Sequence, residues 1–567
     1  SSNRITRVLV FMAALSVAAA NFKLEIVHTN DMHSRFHQTN NVSGICSKED
    51  AAKNQCYGGF ARVSEAVITA KSRNKDKTLF LIAGDIYQGS IWYTVYKWRI
   101  VSVLTNMLQP DAMSLGNHEF DDGVKGLVPF IKNATFPVLA ANLDISKEPD
   151  LMIPNLKNSN IFTADGGIKI AVIGYVTPET KFLSQAEGVV FLDEIKSINA
   201  EIAKLKRDQS DINIFIALGH SGYEMDKKIA ADVPDIDIVI GGHTNTFLYT
   251  GKQPDSEVPE GLYPTWITQS SGRRVPVVQS YAYTKYLGQL SVEFDSNGEV
   301  IKADGNPLLL DKSINQDPFI LQELVKWEKN MSDLEKKPVG KTKVFLEGSD
   351  IICRLEECNM GNMIADAFVD YMVEILYEKG WTSAPIAFYN GGSVRSSIDS
   401  VKNSGDVTMG DVLGVLPFRN EMILIEMKGS HIMQMLEWSM SGLKVVYDLE
   451  KPNGKRVVEV LARCGDCRVP VYKPVVLQDT YNVLVTEFTA NGGDGYAMIT
   501  KLKRYQTDVS DSDMVVQYFQ KRSPIYTGLD GRIQFVDHTK ARSGTSAASP
   551  CLLLSLLIAV ISVISVT

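Results

Sequence analysis

Strand-like apolar runs recur through the first half of the chain, and each one ends at a histidine, an aspartate or an asparagine. The runs occupy residues 22–33, 79–85, 112–121, 212–220 and 236–243, and most of them place glycine at the turn. A buried strand that ends in a turn and then a polar side chain is typical of an α/β sheet, where ligands gather beyond the carboxyl ends of the strands. The pattern therefore predicts one site assembled from five separate segments.

The side chains at these run ends have the chemistry of a dinuclear metal site. Asp31 and His33 share one face of an extended segment, because alternate residues of a strand point the same way. Asp85 offers a carboxylate whose two oxygens can each take one metal. Oxygen-plus-imidazole sets suit zinc, manganese or iron more than calcium, and two such ions can clamp an in-line phosphoryl displacement. The candidate ligands are Asp31, His33, Asp85, Asn117, His220 and His243.

His118 and Asp121, in the segment GNHEFD, predict a catalytic pair. Asp121 lies three residues beyond His118 and can orient and charge-stabilise its imidazole. A cationic imidazole that faces a phosphate would stabilise transition-state charge or protonate the leaving oxygen. Half of the eight histidines occupy these strand-end motifs. We interpret the other histidines as structural: His28, His37, His431 and His538.

Composition and charge narrow the function classes. The chain has 567 residues, 45% of them hydrophobic and 22% charged, which is ordinary for a globular protein of two or more domains. The net charge is −8 and no basic stripe is present, which argues against nucleic-acid binding. An anionic substrate must therefore be held by local cations, meaning metals or specific arginines.

Both ends of the chain carry targeting features. Residues 1–20 place two arginines before an apolar stretch and a small-residue end, which predicts a signal peptide. Small residues at 543–549 precede an apolar tail, which predicts a GPI-attachment signal with removal of residues 544–567. Ser543 is the expected attachment residue, and Gly544 and Ser546 are the alternatives. A transmembrane anchor is the alternative, although no basic flank follows the tail. We expect an extracellular protein that is held at the cell surface, shed or secreted.

Cysteine usage also fits an extracellular protein. Removal of Cys551 with the tail would leave six cysteines, and near-neighbour pairing is the simplest of the connectivities that the sequence allows. The expected disulfides are Cys46–Cys56, Cys353–Cys358 and Cys464–Cys467. Candidate glycosylation sequons begin at Asn41, Asn133 and Asn330.

The chain divides into two α/β regions with a helical connector between them. Strand-like runs alternate with helical stretches such as 195–207 over residues 21–312, and a second α/β region follows at 338–540. Residues 313–337 predict an amphipathic connector helix. Its expected apolar face consists of Phe319, Leu321, Leu324, Val325 and Trp327.

Taken together, these motifs resemble the calcineurin-like metallophosphoesterase family, and within it the animal 5′-nucleotidases and arthropod apyrases. The resemblance covers nearly the whole chain, with HTNDMHSRF, LGNHEFDDGV and VIGGHTNTFLYTG among the supporting stretches. It implies a four-layer α/β metallophosphoesterase domain at 21–312 and an α/β nucleotide-binding domain at 338–540. It also implies two divalent metals, with zinc favoured, held by the six candidate ligands with Asp85 shared. His118 and Asp121 match the catalytic dyad of that family.

The resemblance also implies nucleotide-binding residues in the second region. Arginine forks suit phosphate oxygens, an aromatic pair would sandwich the base, and a carboxylate would take the ribose hydroxyls. The implied residues are Arg354, Asn390, Arg395, Phe418, Phe488 and Asp494. Read without the resemblance, either phenylalanine would be interpreted as a core residue. A homodimer through this region is a further family expectation.

The chain departs from the family pattern at three places. His243-Thr-Asn245 stands where many relatives have Gly-His-x-His, so Asn245 is a candidate weak or water-mediated ligand. Ser393 replaces an expected glycine, and Arg419-Asn420 replaces a small-residue turn after Phe418. Arg419 could add a phosphate contact or narrow the base pocket, which bears on the choice between monophosphates and longer phosphate chains.

These features predict an extracellular 5′-nucleotidase that hydrolyses AMP to adenosine and phosphate. The alternative enzyme is an apyrase that takes ATP and ADP to AMP, as in the saliva of blood feeders. A non-catalytic nucleotide-binding protein is the alternative of another class. The presence of His118, Asp121 and Asp85 argues against that last alternative.

Overall fold

The structure is a computed structural model that describes residues 21–538 except 42, 74–77, 330, 376–379, 400–403 and 437–442. The predicted signal peptide, Ser543 and residues 544–567 lie outside the described residues, as does Asn330. Within the described residues, no helix has the length and apolar character needed to cross a membrane.

The N-terminal region alternates strands and helices. Its strands are β1 (Phe22–Thr29), β2 (Thr78–Ala83), β3 (Ala112–Ser114), β4 (Val138–Leu139), β5 (Leu143–Asp144), β6 (Leu156–Lys157), β7 (Ser159–Thr163), β8 (Lys169–Val176), β9 (Val190–Phe191), β10 (Ile212–His220), β11 (Ile238–Ile240), β12 (Thr265–Thr268), β13 (Arg274–Val278), β14 (Tyr286–Phe294), β15 (Val300–Gly305) and β16 (Leu308–Leu309). Its helices, including two in the connector, are α1 (Lys48–Ala52), α2 (Phe60–Arg73), α3 (Ile91–Tyr96), α4 (Trp98–Leu108), α5 (Gly123–Asn133), α6 (Thr180–Leu183), α7 (Glu194–Asp208), α8 (Tyr223–Asp232), α9 (Pro318–Glu328) and α10 (Ser332–Glu335).

Two sheets pack face to face at the centre of this region. One has the order β15-β14-β1-β2-β3-β4-β6, and the other has the order β12-β13-β11-β10-β8-β7. Leu81 and Ile216 belong to the apolar layer between the sheets. The alternate residues Phe80 and Ala217 face outward, under α2 and α4 on one side and under α7 and α8 on the other. The result is the predicted four-layer α/β arrangement of helix, sheet, sheet and helix.

The C-terminal region is a second α/β unit. Its strands are β17 (Pro338–Lys341), β18 (Ile386–Ala387), β19 (Asp406–Thr408), β20 (Glu421–Lys428), β21 (Lys444–Tyr447), β22 (Val457–Arg463), β23 (Tyr472–Pro474), β24 (Thr480–Thr486), β25 (Arg504–Ser510) and β26 (Ile533–Phe535). Its helices are α11 (Asp350–Cys353), α12 (Asn359–Ile375), α13 (Met409–Val415), α14 (Gly429–Leu436), α15 (Glu487–Ala490) and α16 (Asp511–Arg522). The central sheet has the order β18-β24-β20-β25, and β23-β22-β21-β26 form a further sheet.

The connector differs from the single helix expected over 313–337. It contains α9 and the short α10, and the expected apolar face is partly wrong because Phe319 is 72% exposed and Val325 is 61% exposed. Leu324 of the expected face is fully buried, as is Ile320, which is not part of that face but lies at the i,i+4 spacing from Leu324. Because apolar residues lie on both sides of the helix, the hydrophobic pattern does not identify the buried side. The side that packs on α2 and α4 is the buried one.

The two regions share apolar contacts. Leu413 of α13 is buried in the same cluster as residues of α3 and α4, although it belongs to the C-terminal region. Thr94 of α3 also donates a hydrogen bond to the carbonyl of Pro417 at 3.3 Å. These contacts set the C-terminal region against the edge of the N-terminal sheets.

The parallel strands explain why the polar run ends converge. In the first sheet β1, β2 and β3 run parallel, and in the second β8, β10 and β11 do so. Because carboxyl ends of parallel strands meet at one edge, the residues after all these strands face a common cleft.

Gly174 provides a test of the sheet packing. A Cβ at this position would lie 2.3 Å from the backbone carbon of Leu139 in the opposite sheet, whereas a Cβ at Gly528 would meet nothing within 4 Å. We expect Gly174→Ala to lower the free energy of unfolding by about 1–3 kcal/mol, and Gly528→Ala to leave it nearly unchanged. Chemical unfolding followed by fluorescence measures both. Equal effects of the two substitutions would contradict the close approach of the sheets.

Candidate active site

Asp31 presents one carboxylate oxygen to the cleft. Its Oδ2 accepts hydrogen bonds from the Asn30 side chain at 2.8 Å and from the His243 backbone N–H at 2.9 Å. Its Oδ1 is buried and has no hydrogen-bond partner within the described part of the chain. The same Oδ1 lies 3.8 Å from His33 Nε2 and 3.7 Å from His220 Nε2. Hydrogen bonds thus fix the Oδ2 side of Asp31, while Oδ1 remains an acceptor that faces the cleft.

Asp85 lies at the centre of the cleft. Its Oδ2 is 2.9 Å from His220 Nε2 and 4.0 Å from His33 Nε2, while its Oδ1 accepts the backbone N–H of His118 at 2.9 Å. Two groups of closely spaced metal-binding atoms share this residue: His33, Asp85 and His118 form one, and Asp85, His220 and His243 form the other. A carboxylate common to both groups is suited to bridge two cations.

Hydrogen bonds to backbone carbonyls fix the direction of two imidazoles. Nδ1 of His220 lies 2.7 Å from the carbonyl of Ala83, and Nδ1 of His33 lies 3.3 Å from that of Tyr87. A carbonyl only accepts, so each Nδ1 carries the proton and each Nε2 of a neutral ring turns its lone pair into the cleft. Burial opposes a charge on His220, yet the carboxylates of Asp85 and Asp31 raise its pKa to about 10. The two carboxylates therefore favour positive charge on His220, whereas burial lowers the pKa of His33 well below its usual value and that of His243 to about 3.

Unpartnered acceptors indicate that the residues present fit a pair of metal ions. Asp31 Oδ1 and Asn117 Oδ1 are buried without a hydrogen bond among the described residues. Each such group costs about 1–3 kcal/mol when nothing satisfies it. Because both are lone-pair donors at one cleft, divalent cations would satisfy them together.

Several of these residues have strained backbones. Positive φ angles occur at Asp31 (50°), His33 (45°), Asp85 (54°), His243 (81°) and Asn245 (55°). The left-handed region costs most residues with a Cβ roughly 1–2 kcal/mol, and aspartate and asparagine less. Such strain is concentrated at functional sites, where the surrounding structure holds it. The strain was not visible in the sequence.

His118 and Asp121 form the expected pair. His118 Nδ1 is 2.7 Å from Asp121 Oδ2, and the hydroxyl of Ser184 donates to the other oxygen of Asp121 at 2.7 Å. Burial lowers the pKa of His118, but Asp121 and Asp85 together raise it above its usual value. Its Nε2 lies 3.9 Å from Asp85 Oδ2, so the charged edge of the ring faces the cleft.

Groups from the C-terminal region reach the same cleft. Arg395 Nη2 lies 3.1 Å from His33 Nε2. Asn390 donates to Asp494 Oδ2 at 2.5 Å. Burial raises the pKa of Asp494, while Arg354 and the hydrogen bond from Asn390 oppose that shift. The two arginines, Asn390 and Asp494 therefore form one polar cluster next to the candidate metal ligands.

The two candidate base-binding phenylalanines have different neighbours. The Phe418 ring stacks against the His118 ring with 5.6 Å between centroids, and the guanidinium of Arg395 lies 5.8 Å from the Phe418 centroid. The Phe488 ring covers Gly493, where a Cβ would come within 2.5 Å of the ring. Both rings are half-buried.

Comparison with known proteins identifies the two regions. Residues 24–247 match the calcineurin-like phosphoesterase family, and residues 338–501 match the 5′-nucleotidase C-terminal domain. Human 5′-nucleotidase is 42% identical to this chain, covering 94% of the chain and 94% of the human protein. The chain belongs to the 5′-nucleotidase family.

Other similar proteins agree. Snake venom 5′-nucleotidase of Crotalus adamanteus is 40% identical over 94% of this chain and 92% of the venom protein. The crystal structure of a 5′-nucleotidase precursor from Thermus thermophilus has a TM-score of 0.82 and 32% identity, covering 91% of this chain and all of that one (100%). The chain is thus a metal-dependent nucleotide phosphohydrolase, and its calcineurin-like domain implies a dinuclear divalent metal site.

Glu119 of this 5′-nucleotidase family member is a site residue to which the sequence assigned no role. One oxygen of its carboxylate accepts the backbone N–H groups of Ile86 and Tyr87 at 2.8 and 3.1 Å. The other accepts those of Asp85 and Gly116 at 2.9 and 2.6 Å. Burial and the neighbouring Asp85 raise the pKa of Glu119 to about 7. Glu119 thereby ties together the loops that carry Asp85 and Asn117.

The disulfides and the departures from the family pattern have structural roles. Disulfides link Cys46 to Cys56, Cys353 to Cys358 and Cys464 to Cys467. Ser393 donates to Asn390 Oδ1 at 2.6 Å and so orients that side chain. Arg419 has a φ of 53° and lies 3.4 Å from Asp513, at the start of α16. Asn245 Nδ2 lies 3.5 Å from the Tyr283 hydroxyl.

Glu119→Gln tests the loop clamp. An amide NH₂ would face backbone donors that now meet a carboxylate oxygen, and each donor left unsatisfied costs about 1–3 kcal/mol. We expect metal affinity and turnover to fall by roughly 10–100-fold, measured by metal analysis and phosphate release. Glu201→Gln is the matched control, because Glu201 of α7 is a buried carboxylate that accepts hydrogen bonds from the side chains of Asn158 and Ser159. Unchanged metal binding in Glu119→Gln would overturn the clamp role.

Proposed function

We propose that this enzyme is an extracellular 5′-nucleotidase that hydrolyses AMP to adenosine and phosphate. One observation carries the proposal: Arg395 and Phe418, from the C-terminal region, lie beside His33 and His118 of the N-terminal cleft. A group that binds phosphate and a ring suited to a base thus adjoin the candidate metal site. The 5′-nucleotidase names of the human and venom relatives agree with this choice.

Two divalent cations at this cleft would supply an activated water and stabilise charge on the phosphorus centre. We assign their ligands to Asp31, His33, Asp85, Asn117, His220 and His243. The three imidazoles, two carboxylates and one amide of this set suit zinc, manganese or iron, and we propose zinc.

The remaining side chains bind and orient the nucleotide. In our proposal His118 donates its proton to the leaving 5′ oxygen of the nucleoside, and Asp121 holds the ring in the required tautomer. Arg354 and Arg395 bind phosphate oxygens through bidentate hydrogen bonds, and Asn390 assists them. Phe418 and Phe488 hold the base between them, and the Asp494 carboxylate accepts hydrogen bonds from the ribose hydroxyls.

The spacing of these groups favours a monophosphate. Because the Phe418 ring contacts His118 directly, little length remains between the base and the attacked phosphorus. Arg419, which could have served a longer phosphate chain, is directed to Asp513. An apyrase acting on ATP and ADP is therefore the second candidate, and a non-catalytic binding protein is the third.

We also propose an extracellular setting. The signal-peptide pattern at 1–20 and the GPI pattern around Ser543 support it, and the three disulfides suit an oxidising compartment. A homodimer through the C-terminal domain, expected from the family resemblance, completes the proposal.

Phosphate release from AMP, ADP and ATP tests substrate choice. We expect kcat/KM for AMP to exceed that for ADP and ATP by at least about tenfold, or ~1.4 kcal/mol of transition-state free energy. p-Nitrophenyl phosphate is the control, because it reports on the metal centre without a nucleoside. Fast release from ADP with accumulation of AMP would instead establish the apyrase.

His118→Gln tests the acid role. The variant loses the proton donor, so we expect kcat for AMP to fall by roughly 10²–10⁴-fold while the zinc content stays that of the native protein. His431→Gln is the control, because His431 lies on α14 and, among the described residues, its ring accepts the Lys428 backbone N–H at 3.2 Å and contacts no candidate site residue. Loss of one zinc would make His118 a ligand, and undiminished turnover would remove it from the mechanism.

A further inference from the structure

Gln279, directly after β13, makes hydrogen bonds with both the nitrogen and the oxygen of its side-chain amide next to the turn that carries His243. It is fully buried. Its Nε2 donates to Asp226 Oδ2 at 2.7 Å and to the carbonyl of Gly242 at 3.1 Å. Its Oε1 accepts the backbone N–H of Thr246 at 3.2 Å. The amide therefore spans the turn that contains His243.

Asp226 of α8 sets the direction of that amide. Its Oδ2 faces Gln279, so the NH₂ end must point toward Asp226 and the Oε1 end toward Thr246. The backbone of the turn also lies directly on this carboxylate, since a Cβ at Gly241 would come within 1.7 Å of Asp226 Oδ2. The other oxygen of Asp226 accepts the Tyr175 hydroxyl at 2.7 Å.

The turn held in this way is strained and carries two groups of the site. His243 and Asn245 have φ angles of 81° and 55°, and this region costs a histidine roughly 1–2 kcal/mol and an asparagine less. Gly242 and Thr246, the residues bonded to Gln279, flank the strained segment. The backbone N–H of His243 donates to Asp31 Oδ2, so a shift of the turn would also move Asp31.

We propose that Asp226 and Gln279 are a positioning pair that sets the affinity of the metal ion held by His243. The pair acts through the turn at 242–246 and touches neither metal nor substrate. This inference rests on the proposed ligand roles of His243 and Asp31. Interactions behind metal ligands commonly change metal affinity by about 10–100-fold when they are removed.

Gln279→Met in the full mature chain tests the pair. Methionine keeps the length and volume of glutamine but makes none of its hydrogen bonds. Tyr175→Phe is the matched control, because it removes one buried hydrogen bond from the other oxygen of the same carboxylate and removes none of those made by Gln279. Each protein is equilibrated with buffered free Zn²⁺, and the bound zinc per chain is measured together with thermal unfolding and AMP kinetics.

We expect Gln279→Met to bind its weaker Zn²⁺ about 10–100-fold less tightly. Its kcat should fall at limiting Zn²⁺ and recover in excess Zn²⁺, with KM for AMP unchanged. Tyr175→Phe should unfold at a lower temperature but keep native zinc affinity. Asp226→Asn, which preserves shape, serves as the second variant if Gln279→Met does not fold.

Native zinc affinity in Gln279→Met, or an equal loss in Tyr175→Phe, would overturn the positioning role and leave the proposed function intact. Failure of the unaltered protein to bind Zn²⁺ would instead overturn the ligand assignment on which both proposals rest.

Discussion

The structure depends on a concentration of buried acceptors around Asp85. Asp31 Oδ1, Asp85 Oδ2 and the Nε2 atoms of His33 and His220 lie within about 4 Å of their neighbours, and all four side chains are buried. Lone pairs this close repel one another, and the low dielectric constant of the protein interior strengthens that repulsion. Only positive charge makes the arrangement favourable: Arg395 supplies some of it at His33 Nε2, and protons or metal ions would supply the rest. Metal binding and the stability of these loops are therefore coupled.

The fold counters this repulsion with hydrogen bonds supplied from outside the cleft. Glu119 collects four backbone donors from the loops after β2 and β3, and Asn30 and the His243 N–H hold one side of Asp31. The strained φ angles persist because these bonds over-determine the loops. The positions of Asp31 and Asp85 are thus set largely by hydrogen bonds to groups outside the cleft.

The sequence points to the residues that converge on the cleft more readily than to the residues that hold them in place. Ligand-type residues at strand ends are visible because apolar runs mark the strands, and parallel strands bring those ends together. Glu119, Asp226 and Gln279 carry no such mark, since their partners are distant in sequence or are backbone groups. The buried face of α9 was misjudged because apolar residues occupy both of its sides, and packing against α2 and α4 chose between them.

Leu413 has a mechanical consequence. It belongs to the C-terminal region but is buried among residues of α3 and α4 in the N-terminal region. Any opening of the cleft that withdraws α13 must expose this side chain to solvent, at about 1.5–3 kcal/mol for a leucine. That cost alone biases the population of open molecules by roughly 10–100-fold. This leucine, remote from the candidate metal ligands, therefore opposes separation of α13 from α3 and α4, and a smaller side chain at position 413 would weaken that opposition.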